Sequence, residues 1–88
     1  MVVREIYYTT RFEKQFKKLP QVVQEKAVAT EDRIHINPLH PSLRLHKLSA
    51  KLGGLWSISI TNSYRIIFES LENDDLLFIS VGLHSIYQ

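Results

Sequence analysis

The first residues that could do chemistry lie in segment 43–48, where leucine alternates with basic side chains. If this segment is extended, successive side chains point to opposite sides of the strand. The leucines then lie on one side, while Arg44, His46 and Lys47 face solvent. The pattern predicts a basic rim that could contact an anion, and a solvated basic loop without a partner is the alternative interpretation.

A further basic residue, Arg65, interrupts a run that otherwise favours a packed strand. It follows Tyr64 directly and precedes the apolar segment 66–68. Arginine is rarely buried without a partner, so Arg65 needs either an anion or water. Two interpretations stay open. The guanidinium binds an anionic ligand, or it is structural and either reaches solvent at a sheet edge or pairs with Glu69.

His84 and Tyr87 follow the last predicted strand, close to the end of the chain, where termini are often frayed. The sequence has no cysteine, no glycine-rich phosphate loop and no His-Glu-x-x-His motif. Any metal site would therefore rest on histidine and carboxylate, and we predict neither a metal nor a cofactor.

The charges are distributed unevenly along the chain. Residues 1–33 carry seven Lys or Arg against five acidic residues, residues 34–68 carry four against none, and residues 69–88 carry none against four. The net charge of +2 hides a middle segment without one carboxylate. That segment is expected to attract polyanions such as RNA.

The chain of 88 residues fits one domain, which we predict to span residues 1–88. Its composition, 44% hydrophobic and 23% charged, is that of a folded globule. The lack of cysteine suits a reducing compartment. Because charged residues interrupt every apolar run, we expect no signal peptide, no membrane span and a cytoplasmic location.

The N-terminal half predicts a strand followed by two helices. Segment 2–8 is rich in β-branched and aromatic residues, which favours a strand. Thr10 and Glu13 have the spacing of a capping box that begins a helix. That helix has an apolar stripe, made by Phe12, Phe16 and Leu19. A second helix is predicted over 21–36, where apolar residues recur at helical spacing between Pro20 and Pro38.

The C-terminal half predicts three strands joined by tight turns. Segment 54–61 alternates apolar and polar residues and predicts a half-buried strand. Strands are also predicted over 64–69 and over 76–81, the last lying centrally in the sheet and ending at Gly82. The order of elements predicts an α+β fold: an N-terminal strand, a two-helix hairpin, and a mainly antiparallel sheet with the helices on one face.

Taken together, these segments resemble the RelE/ParE superfamily of type II toxin-antitoxin toxins, in particular its RelE/YafQ-like mRNA interferase branch. The resemblance covers nearly the whole chain. It is carried by four segments in the family's order: Tyr8-Thr-Thr-Arg-Phe-Glu-Lys-Gln-Phe-Lys-Lys-Leu19; Leu43-Arg-Leu-His-Lys-Leu48 leading to Gly54-Leu-Trp-Ser-Ile58; Ser63-Tyr-Arg-Ile-Ile-Phe68; and Val81-Gly-Leu-His-Ser-Ile-Tyr87.

The resemblance implies a ribosome-dependent endoribonuclease that cuts mRNA without a metal and leaves a 2′,3′-cyclic phosphate. It assigns Arg65 as the clamp on the scissile phosphate and His84 as the acid for the leaving oxygen. It assigns Tyr87 as the aromatic that stacks on or orients a base, and His46 as the base. Such chemistry needs a proton acceptor, a proton donor and a cation, and histidine with arginine can supply all three.

The resemblance also implies partners: the ribosome, mRNA and an acidic, DNA-binding antitoxin encoded by a neighbouring gene, in a toxin-antitoxin hetero-oligomer. Arg44, Lys47 and Lys51 are the predicted RNA contacts. Ser57 and Ser59 stand where certain ribonucleases of the family have lysines. Two other functions therefore stay open, a ParE-like inhibitor of DNA gyrase and an inactive member that only binds its antitoxin.

Overall fold

The computed structural model describes residues 2–49 and 54–84. Two α-helices are present in these ranges, α1 (Thr10–Lys17) and α2 (Gln21–Ile36). The strands are β1 (Ile6–Tyr8), β2 (His46–Ser49), β3 (Leu55–Ser59), β4 (Tyr64–Ser70) and β5 (Leu76–Leu83). The second helix has the predicted bounds. β1 is shorter than predicted, and β5 continues one residue beyond Gly82.

The five strands form one sheet in the order β1-β5-β4-β3-β2. β1 runs parallel to β5, and the other three pairs are antiparallel. The predicted α+β class and mainly antiparallel sheet are confirmed. The last strand lies inside the sheet, as predicted, because β1 and β4 flank it on either side.

The first helix begins one residue earlier than the capping-box pattern indicates. Thr9, not Thr10, is the N-cap: its Oγ1 accepts a hydrogen bond from the Phe12 N–H at 3.0 Å. The same hydroxyl donates to the Ile79 carbonyl oxygen at 2.7 Å. With Thr9 as the cap, one hydroxyl satisfies both a helix N–H that lacks an intrahelical partner and a carbonyl of β5. The contact with β5 is the reason that Thr9, rather than Thr10, is the cap.

α1 continues the role of β1 along one side of β5. The pairing of β1 with β5 ends at Tyr8 and Phe78. Beyond that point, Gln15 Oε1 accepts from the Val81 N–H at 2.9 Å. The side chain of a helical residue thus pairs with a β5 N–H that a longer β1 would otherwise satisfy, and α1 is held against β5.

The core lies between the helices and one face of the sheet. Phe12 is buried, and Phe16 and Leu19 pack against the same cluster, which confirms the predicted apolar stripe. The Phe12 and Phe78 ring centroids are 5.4 Å apart. The other buried members of the cluster are Val3, Ile34, Leu43, Ile58, Ile66, Phe68, Leu76 and Val81. With the helices on this face, the opposite face of the sheet can carry a site.

Tyr8 should make the free energy of unfolding depend on pH in the alkaline range. Partial burial, together with a hydrogen bond that its hydroxyl donates to the Glu31 carboxylate, raises the pKa of Tyr8 above its ordinary value. The folded state then holds this proton more tightly than the unfolded state. Its contribution is fully present below about pH 10, where an unfolded tyrosine titrates, and is lost as pH rises through the higher folded pKa.

Tyr8→Phe removes that contribution. We expect the difference in free energy of unfolding between wild type and Tyr8→Phe to shrink as pH rises from about 9 to 11. Urea unfolding at each pH measures it, with Tyr7→Phe, a change at an exposed neighbour, as the control. A difference that stays constant across this range would contradict the assignment.

Candidate functional site

A pocket of about 450 Å³ lies on the face of the sheet opposite the helices. Among the described residues, all of its charged or titratable lining side chains are basic, and none is a carboxylate. The lining residues are Arg44, Leu45, His46, Leu48, Ser57, Arg65, Ile67 and His84. Four of the predicted site residues, far apart in the sequence, are therefore brought together.

The register of the strands explains this gathering. His46 pairs with Ser57, and Ser57 pairs with Ile67. Arg65 pairs with Ser59 on one side and with Gly82 on the other. Because residues paired across strands share a face, these side chains all lie on the face that faces away from the core.

The prediction of a half-buried β3 is wrong for its serine side. Ser57 is only 1% exposed and Ser59 only 7%. β3 lies between β2 and β4, and the Arg65 side chain lies over Ser57. The long Arg65 side chain on the neighbouring strand covers the small Ser57 side chain. The alternation of residues within β3 alone does not reveal this contact.

Arg65 is held by a neutral partner. Its Nη1 donates to Ser57 Oγ at 3.1 Å. Its Nε is buried and finds no hydrogen-bond partner among the described residues. β4 is the central strand of the sheet, so the interpretation of Arg65 as an edge residue is wrong, and the side chain bonded to it is Ser57, not Glu69. One N–H of the buried part of the guanidinium is therefore left unsatisfied among the described residues.

Segment 43–48 is less extended than predicted. Leu43 ends a short 3₁₀ turn (Pro41–Leu43) and is buried, and the next residue, Arg44, has left-handed backbone angles of φ 47° and ψ 49°. Such a conformation costs an ordinary residue about 1 kcal/mol. It turns the chain into β2 and leaves the Arg44 side chain exposed at the pocket.

The predicted separation of leucines from basic residues fails at the end of this segment. His46 and Leu48, two residues apart on β2, both line the pocket. Lys47 points to the other face, where its Nζ lies 5.6 Å from the centre of the Trp56 ring. That distance is typical of a cation–π contact. Lys51 and Tyr87, also predicted as site residues, lie outside the described residues.

His84 follows β5 and is tied to the turn between β3 and β4. Its N–H donates to the Ser63 carbonyl oxygen at 2.6 Å. Thr61 Oγ1 in the same turn accepts from the N–H groups of Ser63 and Tyr64. One turn therefore positions both the exposed His84 and the beginning of the strand that carries Arg65.

Sequence reasoning missed four lining residues as parts of the site: Leu45, Leu48, Ser57 and Ile67. The two leucines and the isoleucine add an apolar wall beside the basic groups. Across residues 2–49 and 54–84, no three His, Asp or Glu side chains are grouped as metal ligands would be. In the same ranges, neither helix has the length and hydropathy of a membrane span.

Searches by sequence find no matching family model and no matching curated protein. Solved structures do match. A chain of the E. coli DinJ–YafQ toxin-antitoxin complex superposes with a TM-score of 0.76 at 19% identity, covering 97% of each chain. A chain of the RelE–RelB complex from Pyrococcus horikoshii OT3 has a TM-score of 0.75 at 14% identity, covering 94% of this chain and 96% of that one.

The YoeB/ParE toxin from Agrobacterium tumefaciens matches with a TM-score of 0.74 at 18% identity, covering 92% of this chain and 99% of that one. These likenesses extend over nearly all of each chain, and they agree with the element order and sheet topology described above. Identities this low are informative about the fold. The chain has the fold of the RelE/ParE toxin superfamily, as the sequence resemblance predicted.

Proposed function

We propose that this chain is the toxin of a type II toxin-antitoxin system and inhibits translation by cutting mRNA on the ribosome. The observation that carries the proposal is the pocket lined by Arg44, His46, Arg65 and His84, with no carboxylate among its described lining residues. Such a set attracts the RNA backbone. It also offers a cation for phosphoryl oxygens and groups that can accept or donate protons.

In the proposed reaction the 2′-oxygen of one nucleotide attacks the adjacent phosphorus, and the bond from phosphorus to the next 5′-oxygen breaks. His46 takes the proton of the 2′-hydroxyl, and His84 gives a proton to the leaving 5′-oxygen. Arg65 binds the phosphoryl oxygens as their charge increases. The products are a 2′,3′-cyclic phosphate and a free 5′-hydroxyl, and no step uses a metal.

RNA contacts outside the reacting phosphate are assigned to Arg44, Lys47 and Lys51. Arg44 is exposed at the pocket. Lys47 lies on the opposite face over Trp56, so its contact with RNA requires a strand that passes around the β2 edge of the sheet. Tyr87 is proposed to stack on a base.

The proposed partner is an acidic antitoxin, encoded next to this chain, that binds DNA and forms a hetero-oligomer with the toxin in the cytoplasm. One of the similar structures is a toxin-antitoxin complex by name, and another is a RelE–RelB complex. The carboxylate-free pocket fits acidic residues of such a partner. Bound there, the antitoxin excludes RNA from Arg65 and the two histidines.

A cell-free translation reaction with one defined mRNA tests the proposal. Purified toxin is expected to cut that mRNA only while ribosomes translate it, and to leave cyclic phosphate at each upstream end. Primer extension locates the cuts, and treatment with a phosphatase that opens cyclic phosphate identifies the end. Lys26→Ala, an exposed change on α2 outside the pocket, is the matched control and should cut as wild type does.

A parallel assay of DNA supercoiling by gyrase separates the alternatives. Inhibited supercoiling with intact mRNA would support a ParE-like gyrase inhibitor, for which the uncharged Ser57 and Ser59 are the sequence feature. Intact mRNA and unaffected gyrase would identify an inactive member. Either result rejects the proposed nuclease.

A further inference from the structure

Ser57 lines the pocket and is almost completely buried, with 1% of its surface exposed. Its Oγ accepts the hydrogen bond from Arg65 Nη1. Buried hydroxyl groups are costly unless bonded, so this contact both satisfies Ser57 and restrains the guanidinium.

The hydrogen bond runs diagonally across two strands. The backbone partner of Arg65 on β3 is Ser59, yet its guanidinium bonds to Ser57, two residues further along. Ser57 is in turn the partner of His46 on β2. The contact therefore turns the Arg65 side chain along the sheet surface toward the strand that carries His46.

The choice of nitrogen determines which donors remain. With Nη1 bonded to Ser57, the Nε–H is left without a partner among the described residues. Nε and Nη2 lie on the same edge of a guanidinium and point their hydrogens in parallel, the spacing that matches two oxygens of a phosphate. The hydrogen bond to Ser57 thus fixes the orientation of the guanidinium and leaves its other N–H donors for a ligand.

We infer that Ser57 is a positioning residue, which holds the Arg65 guanidinium in the orientation that binds the scissile phosphate. The inference rests on the proposed nuclease function and extends it to a residue that sequence reasoning treated only as a missing lysine. A hydroxyl suits this role because it is neutral. A carboxylate at the same place would offset the positive charge of Arg65, and a lysine would repel it.

A pair of variants with equal shape tests this. Ser57→Thr keeps the hydroxyl and adds a methyl group, and Ser57→Val adds the same bulk without the hydroxyl. The strain of the added group is common to both, so any difference between them reports the hydrogen bond. Ser59→Ala is the control. It removes a hydroxyl from the other buried serine of β3, which is not bonded to the Arg65 guanidinium among the described contacts.

The first measurement is mRNA cleavage. Ser57→Val should lower kcat about 10- to 100-fold relative to Ser57→Thr, because a misplaced phosphate clamp weakens the transition state, with a much smaller change in KM. Ser59→Ala should stay close to wild type. Equal kcat values for the threonine and valine variants would overturn the inference.

The second measurement does not depend on cleavage. The Nε–Hε NMR signal of Arg65, assigned by its absence in Arg65→Lys, is followed during titration with inorganic phosphate. It should shift in wild type and Ser57→Thr and stay unchanged in Ser57→Val. If this pattern appears while wild type cuts no mRNA, the nuclease proposal fails and the positioning role stands. A response that is absent in wild type, or identical in the two variants, overturns it.

Should the larger side chains prevent folding, as shown by loss of a cooperative thermal transition, Ser57→Ala replaces the valine variant and wild type replaces the threonine variant. The same two readouts apply. The expected results are again a lower kcat and an Nε–Hε signal that no longer responds to phosphate.

Discussion

Arg65→Ala is expected to lower the rate of mRNA cleavage about 100-fold or more. Removing one preorganised group that stabilises charge in a transition state has an effect of about this size in other enzymes. The fold should survive, because Arg65 is not a member of the buried apolar cluster and its side chain lies on the opposite face of the sheet. Single-turnover cleavage on translating ribosomes and thermal unfolding measure the two effects separately.

Arg65→Lys should restore only part of that loss. Lysine carries the charge but not the planar fork that can bond to Ser57 and to a phosphate at once. Two results would reject the clamp. One is a lysine variant as active as wild type, and the other is loss of the cooperative unfolding transition in both variants, which would make Arg65 a structural anchor of the sheet.

The rate of cleavage should rise and then fall with pH. A general base must be unprotonated and a general acid protonated in the same molecule, and this condition holds only between the two titrations. His46, on β2, and His84, directly after β5, line one pocket. Each contributes about 10²- to 10⁴-fold if it transfers a proton in the transition state.

Single substitutions assign the two limbs of that profile. His46→Gln should flatten the acidic limb if His46 is the base, and His84→Gln should flatten the alkaline limb if His84 is the acid. Binding of RNA should change little in either variant. His35→Gln, at a histidine near the end of α2 that does not line the pocket, is the control. A wild-type rate that is constant between about pH 5 and 9 would reject the two-histidine mechanism.

The regular elements could be predicted because each depends on local spacing. The apolar residues of 21–36 recur at helical intervals between two prolines, and the helix has those bounds. The predictions of element bounds were wrong where a tertiary contact determined which of two neighbouring residues takes a role. Thr9 replaced Thr10 as the cap of α1 because only Thr9 also reaches the Ile79 carbonyl.

For the site, the sequence determined the residue types: an acid-free middle segment, an arginine inside an apolar strand, and histidines before β3 and after β5. The tertiary structure decided which of them meet. His46 and Leu48 line the pocket, whereas Lys47 lies on the other face of the sheet. Neighbouring residues of a strand face opposite ways, and only the pairing of β2 with β3 determined which of them face away from the core.

The partner of Arg65 likewise depended on tertiary structure. Ser57 and Arg65 are eight residues apart and carry no local signal of contact. Their bond exists because β3 and β4 pair in one register, in which Ser59 faces Arg65 and Ser57 lies diagonally beyond it. Sequence determines charge and periodicity, which are local properties, whereas strand register decides which distant side chains share a face and come within hydrogen-bonding distance.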